Sequence, residues 1–216
     1  MRYEAVLFDL EGTIVDFQWR TDKAIEQTLG VLKDFGFDMS VFNGCDYASL
    51  YNKAIDEAEK RGLRAEKVRK AMDQIYDAVD NDALQRWVPK DDTKNTLRGL
   101  RDRGFGTALV SNVGNKAVRS VLSRFDLNQF LDVVITRNSV KRLKPECEGI
   151  ILALEKLGVG KDSLLFVGDS ITDILTCRAA GVEVAIVLGG EHRKEELERY
   201  KPDFILPRLG EVFSVL

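Results

Sequence analysis

Two pairs of carboxylates stand where apolar runs stop. In Phe8-Asp9-Leu10-Glu11-Gly12-Thr13 the run ends in Asp9, Glu11 follows two residues later, and Gly12 permits a tight exit. A carboxylate projecting beyond a strand end can attack an electrophile or hold a metal, although Asp-x-Glu-Gly also makes an ordinary turn. Val167-Gly168-Asp169-Ser170-Ile171-Thr172-Asp173 repeats the arrangement, with Asp173 four residues after Asp169 and so able to share a helix face with it. Acids at a helix start are favourable without any metal. Together with Asp9, however, they make a hard oxygen set suited to Mg²⁺, which needs only one or two protein carboxylates when a substrate phosphate shares its shell.

Two further segments offer groups for an anion. Leu109-Val110-Ser111-Asn112-Val113-Gly114-Asn115 ends an apolar run in a hydroxyl and a series of backbone N–H groups ahead of a helical pattern, a combination that can hold an anion. Ser111 or Asn112 can equally cap that helix. Lys141-Arg142-Leu143-Lys144-Pro145 supplies cations, and Pro145 at the start of the next helix would make Lys144 a fixed charge; the plain alternative is a solvated basic loop. His192, the only histidine, lies in the charged stretch Glu191-His192-Arg193-Lys194 and reads as a solvated surface residue. No G-x-S-x-G or H-E-x-x-H string accompanies it, which removes the support for a Ser-His-Asp triad or a His-rich zinc site. Carboxylates must carry the chemistry.

The elements that position these groups are six short apolar runs: Ala5 to Phe8, Thr107 to Val110, Val133 to Ile135, Leu164 to Val167, Val184 to Leu188 and Phe204 to Leu206. Most are apolar throughout, as strands buried on both faces must be, and the helical patterns between the later ones predict βαβ crossovers and a parallel sheet. The expected fold is an α/β, Rossmann-like core with helices on both faces. Ligands of such sheets gather beyond the carboxyl ends of the strands, so all four segments would converge on one crevice. A long interval of helical periodicity separates the first run from the second. Ile25, Leu29 and Leu32 mark one helix, Tyr47, Leu50, Tyr51, Ala54, Ile55 and Ala58 a second, and Val68, Ala71, Met72, Ile75 and Val79 a third. Gly36 and Gly62 interrupt the patterns and Pro89 closes the last. This predicts a core of residues 1–16 and 89–216 and an inserted helical cap of residues 17–88, with Lys90-Asp91-Asp92 as the return linker.

Of the 216 residues, 44% are hydrophobic and 31% charged, which provides a core and excludes disorder. The 32 basic and 35 acidic side chains leave a formal charge of −3, and neither sign dominates a long stretch, so neither nucleic acid nor a membrane surface is an expected partner. Cys45, Cys147 and Cys177 are scattered without C-x-x-C spacing, as reduced thiols are, and the strand pattern begins almost at Met1, with no room for a signal-peptide core. The expectation is a cytoplasmic protein.

In this order the four segments resemble the haloacid dehalogenase superfamily of hydrolases, whose pattern runs Asp-x-Asp-x-Thr, then Ser or Thr, then Lys, then Gly-Asp-x-x-x-Asp. The match spans Phe8 to Asp173; the helical insert resembles that superfamily's small cap, and Gly12-Thr13-Ile14-Val15-Asp16 resembles the opening segment of phosphoglycolate-phosphatase-like members. The resemblance implies a Mg²⁺-dependent phosphatase acting on a small phosphorylated metabolite. Asp9 would be the nucleophile and form a phosphoaspartyl intermediate. Asp9, the backbone carbonyl of Glu11 and Asp169 would hold Mg²⁺, with Asp173 bound directly or through water. Ser111 and Lys144 would grip the phosphoryl group, with Gly12 and Asn112 beside them, and Arg20 of the cap would contact the leaving group.

Glu11 departs from the pattern, because Asp usually stands there as acid and base. Its extra methylene shifts the proton donor by roughly a bond length, and errors near 1 Å can cost on the order of a hundredfold. Enolase-phosphatase members also resemble Asp-x-Glu-Gly-Thr, while Ser111-Asn112 and Arg142-Leu143-Lys144-Pro145 look more like the phosphoglycolate-phosphatase group. A catalytically weak or silent phosphate-binding member of the same fold is the alternative, followed by enolase-phosphatase-type or carbon–halogen hydrolysis.

Overall fold

A computed structural model describes residues 2–216 of the chain. These residues divide into two compact units, one of the residues up to Gln18 with Trp87–Leu216, the other of Trp19–Arg86. Among the described residues no helix is long and apolar enough to cross a membrane.

The first unit is built on β1 (Ala5–Phe8), β2 (Gly106–Val110), β3 (Val133–Ile135), β4 (Leu164–Gly168), β5 (Glu183–Val187) and β6 (Phe204–Leu206). They form one sheet in the order β3-β2-β1-β4-β5-β6, with every pair parallel. All four residues of β1 are buried, as are the five of β4, which is why these strands read as unbroken apolar runs rather than alternating ones. Parallel neighbours need crossovers, and the intervening sequence supplies helices α5 (Asn115–Arg124), α6 (Glu148–Leu157) and α7 (Ile171–Ala180). Ala5, Leu7, Ala108, Val110, Leu164, Phe166 and Ile186 pack with Ile150 and Ala153 of α6 and with Ile174 and Cys177 of α7 in one buried cluster. Each Leu, Ile or Phe fully removed from water contributes roughly 1.5–3 kcal/mol, so this core can offset the cost of polar groups buried at its edge.

The order has a functional consequence. The chain lays β2 and β3 on one side of β1, then returns to lay β4, β5 and β6 on the other. The switch falls between β1 and β4, whose register aligns Phe8 with Val167. A crevice opens at such a point beyond the strand ends.

The second unit holds α1 (Thr21–Asp34), α2 (Tyr47–Lys60) and α3 (Ala65–Leu84). On α2 the expected stripe Leu50, Tyr51, Ala54, Ile55 and Ala58 is buried. On α1 the buried line is Ala24, Thr28 and Leu32, whereas Ile25 and Leu29 are half-buried and line a cleft of about 410 Å³ with Met39 and Phe42. The i, i+4 and i+8 positions of Ala24, Thr28 and Leu32 stack on one face, and small residues there admit the neighbouring helices more closely than Ile25 or Leu29 would. Gly36, at φ +74°, ends α1 by donating its N–H to Lys33 O at 2.8 Å. Trp19 is buried here rather than presented to a ligand: its indole stands 4.7 Å from the Tyr47 ring and 5.4 Å from that of Tyr76, and Nε1 donates to buried Asp80 at 2.8 Å.

Candidate functional site

At the switch point the backbone of Asp9 extends the ladder by donating its N–H to Val167 O at 2.9 Å. This sets Asp9 beside the end of β4, where Gly168 leads into Asp169. Asp9, Asp169 and Asp173 are buried, and each offers a carboxylate oxygen within 4.8 Å of the others. Ser170 caps α7, and Asp173 in its first turn returns the bond: its Oδ2 accepts from Ser170 N at 3.1 Å and Ser170 Oγ at 2.7 Å. Asp173 therefore serves the helix start and faces the cluster at once, so the two alternatives open in the sequence are combined.

Lys144, only 6% exposed, fills the gap between these acids. Its ammonium donates to Asp9 Oδ1 at 2.6 Å and to Asp173 Oδ1 at 2.6 Å. The expected fixing of Lys144 by Pro145 at a helix start is corrected by the structure, because α6 begins at Glu148. Asn112 does the holding instead: Oδ1 accepts from Lys144 N at 2.9 Å while Nδ2 donates to Lys144 O at 3.1 Å. Neither Ser111 nor Asn112 caps α5, whose N-cap is Gly114. Ser111 ends β2 by donating its N–H to Ile135 O at 3.0 Å, and its Oγ accepts from Val113 N at 3.3 Å.

Three glycines let the acids approach one another. A Cβ on Gly12 would fall 2.1 Å from Asp169 Oδ2, one on Gly190 would fall at the same distance from that oxygen, and one on Gly168 would lie 2.5 Å from Asp173 Cγ. Asp169 is aimed by Thr13, whose hydroxyl donates to Oδ1 at 3.0 Å, and by the Glu191 N–H, which donates to Oδ2 at 2.7 Å.

Burial pushes the Asp9 carboxyl up to about 6, with Lys144 pulling against that rise and Asp173 adding to it. Burial, then the charges of Asp173 and Asp9, hold Asp169 well above the usual carboxylate range. For Lys144 burial alone would lower the value, but the carboxylates of Asp173 and Asp9 outweigh it and keep the ammonium charged. The cluster thus sets three carboxyl groups against a single ammonium in a buried space, an excess of acid over base. A divalent cation with hard oxygen preference fits that excess and that donor set.

Glu11 is buried beside the first motif's Asp9 in the chain, and its carboxylate is held by two donors. Its Oε1 accepts from Gln18 N at 2.6 Å and from Trp87 Nε1 at 2.9 Å. Arg20 belongs to the second unit, where its Nε stands 3.5 Å from Asp82 Oδ2 in an exposed pair. His192 is partly buried rather than solvated, with 24% of its side chain exposed, and Nδ1 lies 3.9 Å from Glu191 Oε2.

Four contributors carry no signal in the sequence that singles them out. Arg137 is fully buried and donates from Nη1 to Asn112 O at 3.1 Å, supporting the turn that clamps Lys144. Thr-Arg-Asn after a strand reads as surface loop, so only the fold reveals it. Gly190 and the Glu191 N–H act through backbone, and Trp87 reads as the end of a helix. Thr13 alone had a sequence cue, as the polar residue closing the first motif.

Comparisons with known proteins agree with this architecture. Pyrophosphatase PpaX of Bacillus cereus is 29% identical over 220 residues, covering 100% of this chain and 97% of the relative. Among solved structures, a predicted phosphoglycolate phosphatase from Haemophilus somnus superposes with a TM-score of 0.70 at 23% identity, covering 100% of this chain and 98% of that one. A haloacid dehalogenase-like family hydrolase from Streptococcus pneumoniae gives 0.65 at 17% identity, covering 99% and 98%. At these identities the two structures speak for the fold alone. The family model described as haloacid dehalogenase-like hydrolase matches residues 6–187, and the chain belongs to that family.

Proposed function

We propose that this chain is a Mg²⁺-dependent phosphatase that hydrolyses a small phosphorylated metabolite through a phosphoaspartyl intermediate on Asp9. The observation that carries the reading is the approach of three buried carboxylates within 4.8 Å, with the Lys144 ammonium locked between two of them. Asp9, the backbone carbonyl of Glu11 and Asp169 would hold the metal, with Asp173 bound directly or through water. When bound, Mg²⁺ would neutralise charge on the phosphoryl oxygens and on Asp9.

Asp9 attacks phosphorus in line; the Asp9–phosphorus bond forms as the bond to the leaving oxygen breaks. Ser111 and Lys144 donate to the equatorial oxygens, with Gly12 and Asn112 shaping the same pocket. Glu11 supplies a proton to the leaving oxygen and then takes one from the water that hydrolyses the acyl phosphate, releasing inorganic phosphate. Arg20 is the proposed contact for the leaving group.

The test is release of phosphate from a generic aryl phosphate with and without Mg²⁺, followed by a panel that includes pyrophosphate and phosphoglycolate, substrates suggested by the relatives' names. Metal-dependent turnover that disappears in Asp9→Asn supports the reading. An absence of metal-dependent turnover overturns it in favour of a silent phosphate-binding member.

A further inference from the structure

The residue that sets this chain apart, Glu11, has an unexpected partner. Trp87 is the first residue of the core unit after the insert and Gln18 the last before it. Both donate to the same Glu11 oxygen, the backbone of Gln18 at 2.6 Å and the Trp87 indole at 2.9 Å. The segments they belong to are already paired: Asp16 N donates to Val88 O at 3.0 Å, Lys90 N to Ile14 O at 3.1 Å, and Val88 N to Asp16 Oδ1 at 2.8 Å.

An indole N–H can only donate, and a fully buried one must find an acceptor. Trp87 is rigid beyond two torsions, whereas a glutamate side chain has three and wanders unless held. A fully buried indole on a paired segment is therefore a fixed post for a carboxylate that has one methylene more than the usual Asp.

We infer that Trp87 is a positioning residue for Glu11, holding the longer carboxylate in the place its acid and base role requires. This rests on the reading of Glu11 under the proposed function. Trp87 acts through Glu11, the acceptor of its indole N–H.

The experiment is a mutant cycle on the full chain, with Trp87→Phe, Glu11→Ala and the double variant assayed against an alkyl phosphate and p-nitrophenyl phosphate. Loss of one hydrogen bond to a carboxylate should lower kcat of Trp87→Phe about tenfold on the alkyl ester, whose leaving group needs the proton, and much less on the nitrophenyl ester, with KM little changed. The double variant should be no slower than Glu11→Ala. An equal further loss in the Glu11→Ala background, or equal loss on both esters, overturns the inference.

If Trp87→Phe does not fold, the ¹H–¹⁵N spectrum of Glu11→Ala decides. The Trp87 indole resonance should move while that of Trp19, which donates to Asp80, stays in place; Trp19→Phe assigns the pair. An unmoved Trp87 resonance overturns the inference. A wild-type chain without metal-dependent turnover would instead fail the proposed function, leaving the spectral result to stand by itself.

Discussion

Gly12 and Asp169 are in contact so close that the α-carbon of one marks the limit of the other's carboxylate: a Cβ would fall 2.1 Å from Oδ2. Gly12 also has φ +78°, which costs an L residue roughly 1–2 kcal/mol. Gly12→Ala should therefore displace Asp169 and weaken Mg²⁺ binding about 10- to 100-fold, the range seen when the support of a metal ligand is lost. Calorimetric titration with Mg²⁺ measures this, and unchanged affinity would show that Asp169 is not a ligand.

Lys144→Met should be among the most damaging single changes. It leaves Asp9 and Asp173 facing each other in a buried site without the ammonium that bonds both at 2.6 Å. Breaking a buried ion pair in this way costs about 3–5 kcal/mol. Urea unfolding would show a lowered midpoint, and added Mg²⁺ should recover part of the loss by supplying the missing charge.

Stability without metal should fall as pH rises. Burial raises the Asp9 carboxyl from 3.8 to about 6, and Asp169 moves the same way. The folded chain thus binds protons more tightly than the unfolded one. That contribution is complete below the unfolded value of 3.8 and is lost as pH climbs through about 6, a change on the order of 3 kcal/mol for Asp9 alone. Melting curves in a chelator should decline across this interval relative to curves in Mg²⁺, and parallel curves would contradict it.

Asn112→Ala should lower both stability and turnover. The change removes both bonds to the Lys144 backbone and leaves one buried N–H and one carbonyl unpaired, at about 1–3 kcal/mol each. A misplaced ammonium should lower kcat at least about tenfold, since shifts near 1 Å cost more than that. Asn112→Asp, which keeps the acceptor for Lys144 N, should retain more activity; steady-state kinetics of the pair checks the order.

Much of the core was legible because buried parallel strands announce themselves as unbroken runs of Val, Leu, Ile and Phe. Ala5–Phe8 coincides with an observed buried strand, and Asp9 and Asp169 follow the carboxyl ends of β1 and β4 in the middle of the sheet. Supports that act at long separation were not legible. Asn112 clamps a residue 32 positions away, and Trp87 reaches Glu11 across 76. Pro145 misled because a proline near a helix suggests its first turn, whereas Glu146 and Cys147 still separate it from α6. Ile25 and Leu29 misled because size is a poor guide to which helical face neighbours can approach.

The paired segments at residues 14–16 and 88–90 mean that the chain leaves the core and returns to it at adjacent points. The ends of the insert are joined by bonds the core makes for itself, so closing that loop adds little to the entropy cost of folding either unit. An insert mounted this way is an exchangeable module. A helical segment of another length whose termini lie side by side would meet the same pairing of residues 14–16 with 88–90 at its base.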